Sequence, residues 1–475
     1  MKVLKNYLYN AGYQILALIV PLITAPYISR VLHPAGVGYN AYTNSIIQYF
    51  VLMADLGIAM YGQREIAYVR EDPEKMSRTF WEIQFLKFFT TTIAYFAFVI
   101  FLHVYDRYTV FLWIQSLNII GAALDVSWLY QGVEDFKRTV LRNTMVRLLS
   151  LALIFILIKK PSDVSLYIFI IAFSNLFGNL TLWPHLRKML VPVKIKSIHV
   201  WHHLWPTIGL FIPQIATSVY LQLNKTMLGV MMGTKYSGFY QNSDNLVKMV
   251  LSLATSLGTV MLPHMSAAFV KGDKEKMHQM LYKSFDVLSI LAFAMTFGIA
   301  AVSTNLAPFF YGKSFWPVGP AMMIESIVII LIAWSNTIGR QYLVPTNQVK
   351  AYTTSIVLGA AINFVANFIF IDLWGLNGAM WATVASEAVV TGYQMWAVRK
   401  QVHFTKMLQN TFKYLIAGFV MFIPVYLMNI KLRPSIGTLG LEVVVGIIIY
   451  TGMILILKPT SLTFILKLVK QNKSH

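Results

Sequence analysis

The sequence predicts an all-α polytopic membrane protein: about fourteen transmembrane helices in two six-helix lobes related by pseudo-two-fold symmetry, plus two C-terminal helices. Three observations carry this prediction. Of 475 residues, 57% are hydrophobic and 12% charged, whereas about a quarter is charged in soluble proteins. Mostly apolar stretches long enough to cross hydrocarbon, about 20 residues each, recur fourteen times along the chain. A stretch near the start also returns two hundred residues later.

The repeat sets the frame. Its first copy runs from Arg30 to Ala67 and its second from Met231 to Ala268. Gly38 falls on Gly238 and Tyr39 on Phe239; after a one-residue slip, Leu56, Gly57, Met60 and Ala67 fall on Leu257, Gly258, Met261 and Ala268. Each copy reads as a hydrophobic helix with a polar stripe. At 100° per residue, Asn40, Asn44, Gln48 and Asp55 lie within an arc of about 80°. In the second copy Gln241, Asp244, Lys248, Ser252, Thr255 and Thr259 share one face. A membrane-spanning helix does not show such a face to lipid. It packs on polar neighbours or lines a water-filled cavity, and the lysine favours the cavity.

In order along the chain, the first span (8–29) carries Pro21 and Pro26, and its counterpart, the seventh (204–224), carries Pro206 and Pro213. Proline frees backbone carbonyls and bends a spanning helix, as a static kink or as a hinge. The first span is also too long for the apolar core of a cleavable signal peptide, so none is expected. Span two (36–60) holds the first stripe, and a charged loop with a turn at Asp72-Pro73 leads to span three (80–102). There Gln84, Lys87, Thr91 and Tyr95 share a face; Lys87 lies roughly 10 Å from the span end, within snorkelling reach of the interface. Spans four to six (108–131, 139–158 and 163–186) follow, with Asn143, Arg147 and Ser150 on one face of span five. The Asn175/Asn179 and Asn363/Asn367 pairs, at helical spacing, are of the kind that glue helices together.

A basic connector, 191–203, separates an N-terminal lobe (1–190) from a C-terminal lobe (204–400); residues 401–475 supply the last two spans and a basic tail. Six spans per lobe give both the same orientation, so the symmetry axis runs along the membrane normal. In span eight (238–262) Lys248 lies roughly 15 Å deep, with Asp244 one turn away as ion-pair partner. Glu387 is similarly deep in span twelve (376–398), between Thr383 and Thr391, and Glu325 lies in span ten (318–339). A charged, unpaired carboxylate at such depth costs a few kcal/mol. A bound proton or cation relieves it, so Asp55, Glu387 and Glu325 are candidates for Na⁺ or H⁺ coupling.

The net charge of +20 raises the question of nucleic acid, and its placement answers it. With a cytoplasmic N-terminus, 27 of the 39 Lys and Arg residues fall on cytoplasmic segments and 8 outside. That is a topology signal, not a nucleic-acid footprint. The chain has no cysteine, which excludes disulfides and thiolate sites. His202, His203 and His264 sit at helix ends without carboxylates at ligand spacing, and no Gly-rich phosphate loop is present. No catalytic or metal centre is expected.

The opening Pro26-Tyr-Ile-Ser-Arg30-Val-Leu, then Gly36-Val-Gly38-Tyr, Leu56-Gly57 and Gln63-Arg64-Glu65-Ile-Ala, with the six-plus-six repeat, resembles the bacterial polysaccharide (O-antigen and capsule type) flippases of the multidrug/oligosaccharidyl-lipid/polysaccharide exporter superfamily. The resemblance covers essentially the whole chain. It implies export of an undecaprenyl-diphosphate-linked oligosaccharide across the bacterial cytoplasmic membrane, by alternating access of two lobes around a cationic cavity. On that reading both termini are cytoplasmic, and polysaccharide polymerase and glycosyltransferases are the expected partners besides membrane lipids. The diphosphate would be held by Lys87, Arg147 and Lys248, with Arg30 an outer-end candidate. A lipid II type or multidrug exporter is the sibling reading; a membrane scaffold or an enzyme of glycan assembly is the alternative from another class.

Overall fold

The computed structural model describes the backbone of residues 2–258 and 261–459, and their side chains except at 2–15, 18, 195, 210–214, 216–217 and 256–264. Thr259 of the second stripe, the His264 side chain and the basic tail 460–475 lie outside the described residues. Every regular element among the described residues is a helix. In order these are α1 (Lys2–Asp55), α2 (Ile58–Val69), α3 (Pro73–Val104), α4 (Thr109–Gln115), α5 (Leu117–Leu124), α6 (Ser127–Gly132), α7 (Phe136–Leu157), α8 (Val164–Leu180), α9 (Trp183–Leu186), α10 (Leu204–Met231) and α11 (Thr234–Gly258). They continue as α12 (Met261–Val270), α13 (Lys274–Tyr311), α14 (Val318–Glu325), α15 (Ile327–Ser335), a π-helical turn (Asn336–Leu343), α16 (Val349–Val398), α17 (Phe404–Met407), α18 (Thr411–Lys431) and α19 (Ile436–Leu457).

Two of these are too long to be single spans. As a straight rod, the 54 residues of α1 would measure about 80 Å, well over twice the hydrocarbon thickness. The helix is broken at His33, whose φ of 56° is left-handed, immediately before Pro34. The 50-residue α16 is broken at Gly375 (φ 57°, ψ −128°). Across that break the Gly378 Cα packs directly on the Phe370 carbonyl, leaving no room for a Cβ. Among the described residues ten helical stretches are long and apolar enough to cross a membrane. With α1 and α16 each counted as two, and α10 and α11 added, they make the fourteen spans the sequence predicts.

The first repeat copy breaks at its Leu–Gly motif, where the sequence reads one unbroken helix; in the second copy the two residues after the motif, 259–260, lie outside the described residues. Leu56 (φ 45°) and Gly57 (φ 75°) are left-handed and separate α1 from α2. In the second copy α11 ends at Gly258 and α12 begins at Met261. Glycine enters the left-handed region without a Cβ clash, whereas Leu56 is held there under strain. At the start of α3, Asp72 caps the helix, accepting the N–H groups of Glu74 and Lys75 at 3.1 Å. The Lys75 N–H, with the Lys75 side chain beside it, holds the Asp72 carboxyl below its usual range.

The contacts divide the chain into compact units, Met1–Gly238 and Phe239–His475. The boundary falls one span later than the connector 191–203. In the first unit α10 packs along α1, with the Thr226 hydroxyl donating to Ser45 Oγ at 2.9 Å and Gly229 lying against the Tyr42 ring. Also within the first unit, Gly38 of α1 packs on the Thr234 carbonyl, and a Cβ at Gly238 would come within 2.8 Å of Gly38 N. The motif glycines thus allow α1 to touch the first turn of α11 backbone to backbone.

The second unit is built around α13, which packs against α14, α15 and α18. Its two extra helices are fastened by polar knots. At one end Asp286 accepts Asn410 Nδ2 at 3.1 Å and Tyr414 Oη at 2.6 Å. At the other, buried Asn429 accepts from the Thr304 hydroxyl at 2.6 Å and donates to Glu442 Oε2 at 2.8 Å. The outward surfaces are apolar: Phe169, Phe173 and Phe177 stack in sequence along α8, each more than 40% exposed. Such faces are stable only against hydrocarbon, and the chain is a multi-pass membrane protein.

Because Asn429 serves three partners in a buried knot, Asn429→Leu is expected to cost about 1–3 kcal/mol. The loss would be read as a lower melting temperature of the detergent-solubilised protein, with Glu442→Gln, which keeps an acceptor for Asn429, costing less.

Candidate functional site

In the first unit a cavity of about 370 Å³ is bordered by Gln48 and Asp55 of α1, Lys87 of α3, Asn118 of α5, Asp125, Asn175 and Asn179 of α8, and Gln222 of α10. At its base lies a quartet of charges. The Lys87 side chain is 1% exposed; its Nζ sits 3.4 Å from Asp55 Oδ1 and donates to the Asp125 carbonyl at 3.0 Å. Asp125 Oδ1 is 3.9 Å from Arg142 Nη1 and accepts the Ser127 N–H at 2.9 Å. Arg142 in turn donates to Asn179 Oδ1. The break between α5 and α6 puts the Asp125 carbonyl within reach of Lys87, since that oxygen is not taken up by a continuing helix.

Amides extend the network along α1. Asn179 Nδ2 donates to the Gly121 carbonyl at 2.8 Å, and Asn175 Nδ2 to Asn118 Oδ1 at 3.4 Å. Asn118 and Asn44 both donate to Gln115 Oε1, at 2.9 and 3.3 Å, and Gln115 Nε2 donates to Asn40 Oδ1 at 3.1 Å. Asn40 and Asn44 of the first stripe are therefore spent on neighbouring helices, while Gln48 and Asp55 border the cavity. Arg147 lines a second, smaller cavity of about 290 Å³ with Asn143 and Ser150, the face expected from the sequence, and also donates to the Ala17 carbonyl at 3.3 Å. Arg30 is exposed and borders neither cavity.

Sequence reasoning missed Arg142, Asp125, Gln115 and Asn118. The signal for Arg142 is its position within span five, where an arginine needs a partner. The structure places it one and a half turns inside α7 with its side chain only 12% exposed.

In the second unit, Lys248 pairs with Asp244 one turn earlier on α11, with Nζ 2.7 Å from Oδ1. Its side chain is 40% exposed, in contrast to Lys87. Gln241 is half-buried on the same helix. The hydroxyls of Ser252 and Thr255 bond back to the carbonyls of Met249 and Leu251, so they soften the helix surface more than they project donors. Glu325, at the end of α14, is 1% exposed; it accepts the Ser243 hydroxyl at 2.5 Å and lies within hydrogen-bonding reach of Asp244. Buried Glu387 follows Thr383, whose hydroxyl is 3.2 Å from Tyr240 Oη, and precedes Thr391, which donates to the Leu331 carbonyl. Lys248 is in electrostatic reach of all three carboxylates.

The two clusters balance charge differently. The first holds two carboxylates against two cations; the second holds three carboxylates around one. Among the described residues no group of three or more His, Asp or Glu side chains is arranged to hold a metal ion.

Comparison with known proteins places these features. The family described as polysaccharide biosynthesis protein matches residues 3–269, and the family described as lipid II flippase MurJ matches 144–444. The chain is 24% identical over 400 residues to the Escherichia coli K12 "Putative O-antigen transporter", covering 83% of this chain and 96% of that one. Over 142 residues, 30% of this chain and 26% of the other, it is 27% identical to the lipid II flippase MurJ of Bacillus subtilis. Among solved structures, a lipid II flippase MurJ in an inward closed conformation shares the fold at a TM-score of 0.75, with 16% identity over 94% of this chain and 98% of that one. An inward-facing multidrug resistance MATE transporter does so at 0.61, with 12% identity over 81% and 98%.

The Lys87–Asp55 pair makes a sharp expectation. Lys87→Met leaves Asp55 and the Asp125 carbonyl without their cation, a loss of about 3–5 kcal/mol for breaking a buried pair. The double variant Lys87→Met/Asp55→Asn removes both charges and is expected to recover most of that stability. Thermal unfolding of the two purified variants checks it; equal destabilisation would show that the pair is not coupled.

Proposed function

Since the chain belongs to the polysaccharide biosynthesis protein family, we propose that it is a flippase that moves undecaprenyl-diphosphate-linked oligosaccharide repeat units across the bacterial cytoplasmic membrane. It is a transporter and not an enzyme, with its N- and C-termini in the cytoplasm, where most of its basic residues then lie. The observation that carries the reading is Lys248: an ammonium in the middle of a membrane-spanning helix, paired on one side and open on the other. Partly open cations suit a diphosphate; fully enclosed ones such as Lys87 suit structure. Each sugar hydroxyl drawn into hydrocarbon without a partner costs roughly 2–7 kcal/mol. A polar lining such as Gln48 and Asp55 removes that cost while the isoprenoid tail stays in lipid.

The mechanism is alternating exposure of this polar lining to the two membrane faces. Outward movement of a negative head group from a negative interior is favoured by about 2.3 kcal/mol per charge per 100 mV, so ion coupling is not obligatory. Where coupling operates, the second unit is its seat: Glu325, Asp244 and Glu387 exceed Lys248 in charge, and a proton or Na⁺ offsets the difference. Asp55 already has Lys87. Glycosyltransferases that build the repeat unit and a polymerase that consumes it are the partners this role requires. A lipid II type substrate is the second reading, favoured by the match of residues 144–444 to the lipid II flippase family.

In cells lacking the chromosomal copy, Lys248→Ala is expected to cut surface polysaccharide about tenfold or more, the worth of a charged hydrogen bond to the head group. Lys248→Arg and Asp244→Asn should retain export. If Asp244→Asn fails as badly as Lys248→Ala, the ion pair is structural and the head-group role is lost. Glu325→Gln, measured in proteoliposomes with and without a proton gradient, is expected to abolish any dependence of transport on the gradient while leaving transport driven by membrane potential. Complementation of lipid II export by the wild-type chain would favour the second reading.

A further inference from the structure

At the end of the first unit where α3 begins, the connector folds over α3 and leaves a cleft of about 820 Å³. Its floor is Arg78 and Glu82 of α3, and its roof is His199, Trp201 and His202. Glu82 is the one carboxylate lining it, and both of its oxygens are occupied internally. Oε1 accepts the His199 N–H at 2.8 Å, and Oε2 lies 3.0 Å from Nε2 of buried His203. His203 is fixed from its other side by Tyr61, whose hydroxyl is 2.7 Å from Nδ1. This relay clamps the connector down and engages both oxygens of the carboxylate that lines the cleft.

What faces outward is cationic. Arg78 has no ion-pair partner among the described residues. The whole stretch from Arg187 to His203 contains no acidic residue. The cleft also adjoins an apolar face of α3. Arg78, Glu82, Phe85 and Phe89 fall within an arc of about 60° on α3 at 100° per residue. Phe85 and Phe89 are exposed on the helix surface, and Trp201 packs edge-on against Phe89 with ring centroids 5.0 Å apart. One stripe therefore runs from a free guanidinium to a lipid-facing aromatic ladder.

We propose that this cleft is a binding site for a phosphate-bearing lipid, its head group on Arg78, His199 and His202 and its hydrocarbon chain along Phe85, Phe89 and Trp201. The aromatic half of the stripe distinguishes such a ligand from a soluble anion, which has nothing to place there. An anionic phospholipid and an isoprenoid diphosphate share this chemistry. Only the naming of the second source rests on the proposed function.

The test uses the full-length protein in phosphatidylcholine nanodiscs, titrated separately with phosphatidylglycerol and with a glycan-free polyprenyl diphosphate, and retained lipid is counted by native mass spectrometry. Arg78→Gln is expected to lower retention about fivefold, the worth of one basic residue near a membrane surface. Trp201→Ala should lower it as well, and Arg433→Gln, in the 432–435 turn before α19, should not. An unchanged melting temperature verifies that the variants fold. Loss of both lipids supports a site for resident anionic lipid, and loss of the polyprenyl diphosphate alone supports a station for the transported lipid. Retention of both at the wild-type level by Arg78→Gln and Trp201→Ala overturns the proposal. Binding is read without transport, so this failure leaves the flippase reading standing, and failure of the Lys248 test leaves the cleft standing.

Discussion

Inside about 30 Å of hydrocarbon a charge has no water to turn to, and the first unit is arranged around that constraint. Lys87 is almost wholly enclosed, yet its ammonium has a carboxylate, Asp55, and a freed backbone carbonyl, that of Asp125. Asp125 in turn faces Arg142, and Arg142 bonds Asn179. Remove any member and its neighbour becomes an uncompensated polar group in low dielectric, where such groups are most expensive. The interruption of the fourth span at Asp125 follows from the same need: a continuous helix would use its own carbonyls, and Lys87 would lose a ligand.

The second unit answers the constraint differently. Its carboxylates outnumber its single lysine, and Glu325 is deeply enclosed beside Ser243. Lys87 is sealed against its carboxylate, whereas the Lys248 side chain stays partly exposed beside Asp244, and the proposed head-group role rests on that difference.

The helices around both clusters are interrupted at chosen places. His33, Leu56–Gly57 and Gly375 carry left-handed backbone, and each lies where a helix must stop or turn back. The polar knots around Asp286 and Asn429 hold the last two spans to α13 at both ends. These helices are thus integral to the second unit. The connector is fastened in its turn by the Glu82–His203–Tyr61 relay, so the link out of the sixth span is an ordered, charged surface at the polar boundary.

Much was legible in the sequence because hydrocarbon imposes a simple code. Apolar runs of sufficient length gave the fourteen spans, and the Gly38/Gly238 pair and the first Leu–Gly motif marked real features: a backbone-to-backbone contact and a helix break at Leu56–Gly57. Gln48 and Asp55 of the first stripe border one cavity, and Asn143, Arg147 and Ser150 of span five border another. Which charge answers which was beyond the pattern. Lys87 and Lys248 look alike as lone lysines in apolar spans, and only packing shows one sealed against Asp55 and the other open. Arg142 could not be matched to its partners along the chain, because Asp125 and Asn179 are 17 and 37 positions away. Periodicity along one helix reports which face is polar; partners on other helices, and the exposure that separates scaffold from site, exist only once the helices are packed.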